Sequence, residues 1–331
     1  MDALKILDLS KNPIMSLPIS LSKCPRLTTL LLSDGFIESI PEGFFKHMDA
    51  LEVLDLSENP IKSLPHSLSK CPKLTTLLLS DCCIESIPEG FFDHMDALKI
   101  LDLSKNPIKS LPHSLSNLKN LTSLLLDDCE DLENVPSLSN LRVLKKLDFE
   151  GTKIKEIPQG MENLVSLEYL NFGYLRNIKE IPNGILSRLC CLQHLRVGET
   201  VISGKEVGGL KKLEVLEGRF EDWDNLIMYL QGREKPPQYR ISVGDVELDG
   251  YFWNGDGKFI CVSGCKIHTY QMMLPPDIEG LEILNSHLHC SEEYPLFSRS
   301  IIFSPVSFSS LKSLSIYDCR NMKKLFSHGV E

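Results

Sequence analysis

Apolar residues recur at fixed spacing through most of the chain. The repeated unit has the form L-x-x-L-x-L-x-x-N-x-I-x-x-L-P, and its first copy spans Leu4 to Pro18. The same frame begins again at Leu27, Leu51, Leu74, Leu98, Leu121, Leu144, Leu167 and Leu192, in steps of 23 to 25 residues. The alternating L-x-L core predicts a short strand whose side chains point alternately inward and outward.

A step of this length and form is typical of leucine-rich repeats. No single unit buries its apolar face, so each must stack on its neighbours, with successive strands pairing in parallel. We therefore predict an α/β repeat solenoid: a leucine-rich-repeat horseshoe with a parallel concave β-sheet and an irregular, short-helix convex side. The Asn position (Asn12, Asn59, Asn106) is expected to satisfy backbone groups where the chain leaves each strand. Cys82, Cys129, Thr152 and Thr200 take the same position elsewhere.

A second period of 47 residues lies over the first. Residues 99–107 copy residues 5–13 letter for letter, and Met48 to Leu51 returns as Met95 to Leu98. A pair of repeats has therefore been duplicated.

The leucine frame weakens after Leu216, which divides the chain into three parts. We predict about 9–10 regular units over 1–217, an irregular island over 218–280, and C-terminal repeats over 281–331. In the island, 222–231 suits a short helix, and 251–262 suggests a β-hairpin with Asn-Gly or Asp-Gly turn chemistry. The island is either a structural interruption or a recognition insertion. Neither end shows the polar cap that terminal repeats normally need, so we expect a fragment or the tail of a longer protein.

The outward positions of the strands form columns along the predicted concave face. One column runs Asp8, Leu31, Asp55, Leu78, Asp102, Leu125, Asp148, Asn171, Arg196, acidic and apolar by turns at first and mixed later. Tyr and Arg are enriched at energetically important interface positions. We therefore predict a protein-binding patch on the later strands, formed by Lys146, Asp148, Tyr169, Asn171, Tyr174, His194 and Arg196. The alternative is a solvated face with no partner.

Charge and cysteine usage limit the setting. A net charge of -10 disfavours nucleic acid or an anionic membrane surface as partner. No apolar run is long enough for a membrane span, and the N-terminus does not resemble a signal peptide. The eleven cysteines are an odd number and lie inside repeats, where Cys82 and Gly35 are interchangeable. This pattern indicates reduced thiols and a cytoplasmic or nuclear location.

Motifs for catalysis and cofactors fail on inspection, so we predict no enzyme, no cofactor and no metal. Gly198 to Lys205 resembles a phosphate loop but has one residue too many and Glu206 where Ser or Thr is needed. Cys261, Cys265 and His268, with His287, His289 and Cys290, have irregular spacing for zinc and suit buried thiols better. Paired carboxylates such as Asp127-Asp128 lack an apolar pocket that would separate their pKa values.

Several segments resemble a known family. Cys71 to Leu79, Ile87 to Phe92 and Leu98 to Leu103 resemble the leucine-rich-repeat region of plant disease resistance proteins. These are intracellular immune receptors with an N-terminal coiled coil and a nucleotide-binding domain. Leu121 to Cys129 is similar to the family repeat that carries Cys-x-x-Leu in place of Asn-x-Leu, and Phe308 to Phe326 to the C-terminal repeats.

The resemblance implies a region that senses a pathogen effector or modified host protein in plant defence. It also implies that this region holds the receptor's own nucleotide-binding domain inactive. This sequence contains neither a phosphate loop nor a coiled coil, so nucleotide binding does not carry over. A stand-alone intracellular signalling scaffold is the alternative. A substrate-docking arm of an enzyme complex is a third class, but the sequence shows no adaptor motif for it.

Overall fold

The computed structural model describes residues 3–231, 236–244, 257–268, 275, 277–289 and 310–319. The chain divides into two compact units. The first consists of Met1–Ile178 and Arg188–Cys191, and the second of Lys179–Ser187 and Leu192–Glu331.

The first unit contains eight strands of three residues each. They are β1 (Ile6–Asp8), β2 (Thr29–Leu31), β3 (Val53–Asp55), β4 (Thr76–Leu78), β5 (Ile100–Asp102), β6 (Ser123–Leu125), β7 (Lys146–Asp148) and β8 (Tyr169–Asn171). Each pairs in parallel with the next in chain order, and equivalent repeat positions face each other, as Leu54 faces Leu77. This architecture confirms the predicted repeat solenoid with a parallel sheet.

The outer segments of this unit are short 3-10 helices. They span Ile19–Lys23, His66–Lys70, His113–Asn117 and Met161–Asn163. The first three begin directly after a proline, because Pro18, Pro65 and Pro112 have the extended backbone that ends strand-like pairing. A further 3-10 turn covers Leu186–Arg188.

Between the strands and the outer segments lies a core of leucines and phenylalanines. The inward leucines of the strands are fully buried. The phenylalanines of alternate outer segments pack edge to face, Phe44 on Phe45 and Phe91 on Phe92, with ring centroids 5.1 and 5.3 Å apart. Phe149 and Phe172 stack between neighbouring repeats at 5.7 Å.

The asparagine position forms the predicted ladder of hydrogen bonds. Nδ2 of Asn106 donates to the carbonyls of Leu79, Leu103 and Ser104 at 2.7, 2.9 and 3.1 Å, and its Oδ1 accepts from the amide of Ile84 at 3.1 Å. Asn59 repeats this arrangement one 47-residue period earlier. The side chains of Cys82 and Cys129 donate from sulfur to the carbonyls of Leu56 and Leu103. The prediction that this position satisfies the backbone is confirmed.

One residue per repeat, directly after the strand, has a left-handed backbone. These residues are Lys11, Asp34, Glu58, Asp81, Lys105, Asp128, Gly151, Tyr174 and Gly198, with φ between 53° and 70°. Only glycine adopts this conformation without steric cost. In repeats with Asp at the strand end, its side chain accepts a hydrogen bond from the amide two residues later, as Asp55 does from Ser57 at 3.0 Å. This bond helps the chain turn into the left-handed residue.

The second unit has longer strands. Its parallel sheet consists of β9 (His194–Val201), β10 (Val215–Phe220), β11 (Gln238–Gly244), β12 (Lys258–Ser263), β14 (Gly280–Leu284) and β16 (Ser313–Tyr317). A separate parallel pair joins β13 (Lys266–His268) to β15 (His287–His289). The helices are α1 (Gly204–Val207) and α2 (Trp223–Leu230).

Two predictions for the region after Leu216 concern its local structure. The helix predicted over 222–231 is confirmed as α2, capped by Asp222, whose Oδ1 accepts from the amide of Asn225 at 2.8 Å. The second arm of the predicted hairpin corresponds to β12, which pairs in parallel with β11 on one side and β14 on the other. Residues 251–256, which include the first arm and Trp253, lie outside the described residues. The division at 217 and 280 stays a prediction.

Candidate protein-binding surface

The repeat frame brings two predicted residues together on the outward face of β7 and β8. Lys146 and Tyr169 are partners in the strand register, and Nζ of Lys146 lies 5.0 Å from the centroid of the Tyr169 ring. A cation at this distance is attracted by the ring electrons. Lys146 is exposed and Tyr169 half-buried, so the pair presents a positive charge and an aromatic edge to solvent.

Asp148 and Asn171 lie one row further along the same strands but are buried. Their exposed fractions are 7% and 1%. Nδ2 of Asn171 donates to Oε2 of Glu150 at 2.7 Å and to the hydroxyl of Tyr169 at 3.4 Å, and its Oδ1 accepts from the amide of Gly173 at 2.9 Å. These two residues therefore support Tyr169 and the turn rather than offering a large contact area.

Burial raises the pKa of Asp148, and the nearby charge of Asp127 raises it further. The amide of Glu150, which donates to Oδ1 at 3.1 Å, acts in the opposite direction by stabilising the carboxylate. The net direction is upward, so ionised Asp148 carries a desolvation cost in the folded chain.

Tyr174 is the most exposed residue of the predicted patch in this unit. Its side chain is 74% exposed, and its φ is +57°, in the left-handed position that most other repeats fill with Asp, Glu, Lys or Gly. A bulky aromatic residue gains nothing locally from this conformation. The backbone of the repeat holds it there, with its ring directed into solvent.

His194 and Arg196 belong to β9 of the second unit. His194 is half-buried and Arg196 exposed. Nε of Arg196 lies 3.8 Å from Oε2 of Glu217, its register partner on β10. Arg196 also borders a shallow depression with Glu217, Gln238, Tyr239, Arg240 and Gly257. This depression carries two arginines around one carboxylate.

Glu217 and Arg240 were not among the predicted residues. Glu217 follows Leu216, so extending the outward column by one more repeat would have identified it. Arg240 precedes Ile241, where Ile has replaced the leucine that marks the frame. The column is therefore readable from the leucine pattern as far as β10, and only from the structure at β11.

Within the described part of the chain, no group of three or more His, Cys, Asp or Glu side chains is placed to hold a metal ion. Burial raises the pKa of Cys261 to about 12, and its protonated thiol lies 3.7 Å from Oε2 of Glu282. The ten cysteines among the described residues are all free thiols. The rejected phosphate-loop segment begins as strand, because β9 continues to Val201. The helices of the described residues include none that is long and apolar enough to cross a membrane.

Family models match the chain from residue 3 to residue 231. A leucine-rich-repeat model matches residues 25–84 and 72–130, a leucine-rich-repeat-region model residues 124–231, and a third leucine-rich-repeat model residues 3–24. A search of curated protein sequences gave no significant match.

Solved structures share the fold. A leucine-rich-repeat protein of Leptospira interrogans is 20% identical with a TM-score of 0.66, over 98% of this chain and 84% of that one. PEPR1 in its complex with AtPEP1 is 22% identical with a TM-score of 0.62, over 86% and 42%. TLR13 in its complex with ssRNA13 is 19% identical with a TM-score of 0.60, over 97% and 51%. At these identities the likeness concerns the fold.

Proposed function

The chain belongs to the leucine-rich-repeat family, and we propose that it is a protein-binding module that makes its main contacts through Lys146, Tyr169 and Tyr174. The observation that carries this proposal is the exposed Tyr174 beside the paired Lys146 and Tyr169 on the first unit. Aromatic residues with a polar end and basic residues that lose little entropy on binding are typical of interface anchors. Asp148 and Asn171 support this site from beneath.

His194 and Arg196 are proposed as additional contacts on the second unit. Arg196 and Arg240 flank Glu217, so the depression suits a partner carboxylate that would sit between the two guanidinium groups. The scaffold itself supplies only binding geometry, which agrees with the proposal that the chain is not an enzyme.

More specifically, we propose that the module is the sensor region of a plant intracellular immune receptor, acting in the cytoplasm. In that role it recognises a pathogen effector or a modified host protein and restrains the receptor's nucleotide-binding domain. The support is the sequence resemblance of the outer segments and of the Cys-x-x-Leu repeat. Genomic sequence that joins this reading frame to an upstream phosphate loop would agree with it. A self-contained gene would favour the stand-alone scaffold.

The binding proposal is tested by site-specific crosslinking followed by titration. A photoreactive phenylalanine analogue placed at position 174 in the chain, expressed in plant cells, should crosslink a protein that the same analogue at position 317 does not. Tyr317 is the matched control, because it is 63% exposed but lies on β16.

The captured protein is then titrated against purified variants. Tyr169→Ala combined with Tyr174→Ala should weaken binding at least about tenfold, as expected for interface anchors, while Tyr317→Ala leaves it unchanged. Arg196→Ala tests the second unit separately. Equal affinity of the wild type and the double variant would refute the proposed contact set.

A further inference from the structure

The outward face of β1 to β6 carries an alternating row that differs from the Lys146 and Tyr169 surface. One outward position per strand contributes to the row, in the order Asp8, Leu31, Asp55, Leu78, Asp102, Leu125. The strand register places each of these residues directly opposite the next. Carboxylates therefore occur on every second strand, with a leucine between them.

Each carboxylate of the row has one oxygen engaged by its own turn. Oδ1 of Asp8, Asp55 and Asp102 accepts from the amide of the serine two residues later, at 3.0 Å in all three. In the part of the chain that the structure describes, Oδ2 of these residues accepts no hydrogen bond, and none of the three forms an ion pair. The three outer oxygens are therefore available to a partner.

The surroundings of the row add negative charge and apolar surface. Acidic residues on and beside these strands outnumber basic ones: Asp34, Glu52, Glu58, Asp81, Asp127 and Asp128 against Lys5, Lys11, Lys99 and Lys105. Two residues before the carboxylates lie Ile6, Val53 and Ile100, and the leucines between them are half-buried. Ile6 is 64% exposed. The face suits a ligand that alternates positive charge with apolar groups.

The spacing of the row restricts the conformation of such a ligand. Neighbouring strands lie about 4.7–4.9 Å apart, so the carboxylates recur about every 9.4–9.8 Å. A polyproline-II helix has 3 residues per turn and rises about 3.1 Å per residue, so it presents the same face about every 9.3 Å. An α-helix would need a heptad, about 10.5 Å, and a β-strand presents the third residue along on its opposite face.

We propose that the outward face of β1 to β6 docks a polyproline-II segment of a partner protein that carries Arg or Lys at every third position. The segment runs across the strands, with its basic side chains on Asp8, Asp55 and Asp102. The two apolar residues of each triplet then lie on either side of the intervening leucine. This surface shares no residue with the Lys146, Tyr169 and Tyr174 contact set, so either proposal can fail alone.

The test uses a labelled synthetic peptide, (Arg-Pro-Pro)4, titrated at low salt against the full chain by fluorescence anisotropy. A peptide of equal composition with its four arginines in one block and a helical peptide with arginine at every seventh position are the comparison ligands. The proposal expects the triplet peptide to bind more tightly than both.

The row is tested by Asp55→Asn combined with Asp102→Asn, since asparagine keeps the oxygen that accepts from the serine amide. Loss of two partly exposed ion pairs should weaken binding about fivefold. The matched control combines Asp49→Asn with Asp96→Asn. These residues are also 47 positions apart and exposed, but precede the strands, so the change in net charge is the same.

Unchanged affinity in the control with reduced affinity in the row variant supports the proposal. Equal losses in both variants would show charge attraction without register and overturn it. Tighter binding of the block or heptad peptide, or no binding of the triplet peptide at low salt, would also overturn it.

Discussion

Replacing Asn106 by alanine should cost the chain much of its stability. The side chain is 1% exposed and takes part in four hydrogen bonds, three donated by Nδ2 and one accepted by Oδ1. A net contribution of about 0.5–1.5 kcal/mol per bond, with an added penalty because the amide of Ile84 is left buried and unsatisfied, gives a loss of about 3–5 kcal/mol. Such a loss is a large part of the about 5–15 kcal/mol by which folded domains are normally stable.

The same substitution at Asn12 is the matched control. Asn12 occupies the same repeat position, but it is exposed and its side chain donates only to the carbonyls of Leu9 and Ser10. Asn12→Ala should therefore cost about 1 kcal/mol or less. Asn106→Cys should recover part of the loss, because Cys129 fills the same position one repeat later and donates from sulfur at 3.1 Å.

The measurement is urea unfolding followed by far-ultraviolet circular dichroism, with all variants under identical conditions. The midpoint for Asn106→Ala should fall far below that for Asn12→Ala, with Asn106→Cys between them. Similar small shifts for both alanine variants would refute the reasoning, since burial and hydrogen bonding at Asn106 would then not determine its contribution.

Three further predictions concern other sites. Asp148→Asn should raise the free energy of unfolding at neutral pH, because the raised folded-state pKa means that stability falls as pH rises above about 3.8; below that pH, urea titrations should show the two proteins converging. Tyr174→Gly should be more stable than Tyr174→Ala by about 1 kcal/mol, the reverse of the usual order, because φ is positive there; equal unfolding midpoints would contradict this. Gly204→Ala should destabilise the second unit by more than 2 kcal/mol, a rough overpacking estimate, because the new Cβ would clash with the carbonyl oxygen of Asn225 on α2; Gly209→Ala, with 3.3 Å to its nearest neighbour, is the thermal-denaturation control.

The repeat frame predicted much of the architecture because leucine spacing and strand register are the same physical fact. Each L-x-L core became a strand, and each Asn, Cys or Thr after it acquired the expected backbone contacts where the structure describes them. The prolines that followed predicted where the outer segments begin. The helix at Trp223–Leu230 was readable from its local sequence and its Asp222 cap.

Burial of the predicted patch was harder to predict. Alternation along a strand shows which side chains leave the core, but not what covers them afterwards. Asp148 and Asn171 point outward in the pattern, yet Glu150 and Tyr169 from the same two repeats enclose Asn171 through hydrogen bonds. That outcome depends on long side chains folding back, which no spacing rule contains.

The second unit escaped the frame because its repeats become shorter and lose leucine. Tyr239 pairs with Lys258 at a separation of 19 residues, and Phe259 with Gly280 at 21 residues. Ile, Val and Tyr fill the inward positions there, so a search for leucine at steps of 23 to 25 residues finds little. Parallel pairing nevertheless continues, because β-branched residues suit strands well.

The cysteines in the asparagine position have a consequence for chemical probing of the solenoid. Burial raises the pKa of Cys82 to about 11 and that of Cys129 to about 12, so the reactive thiolate is scarce while the repeat is closed. Alkylation at either sulfur therefore requires that its own repeat open locally, whereas exposed Cys83 reacts without opening. Modification rates at Cys82 and Cys129, referenced to Cys83, would report how independently neighbouring repeats separate, at single-repeat resolution and without any introduced label.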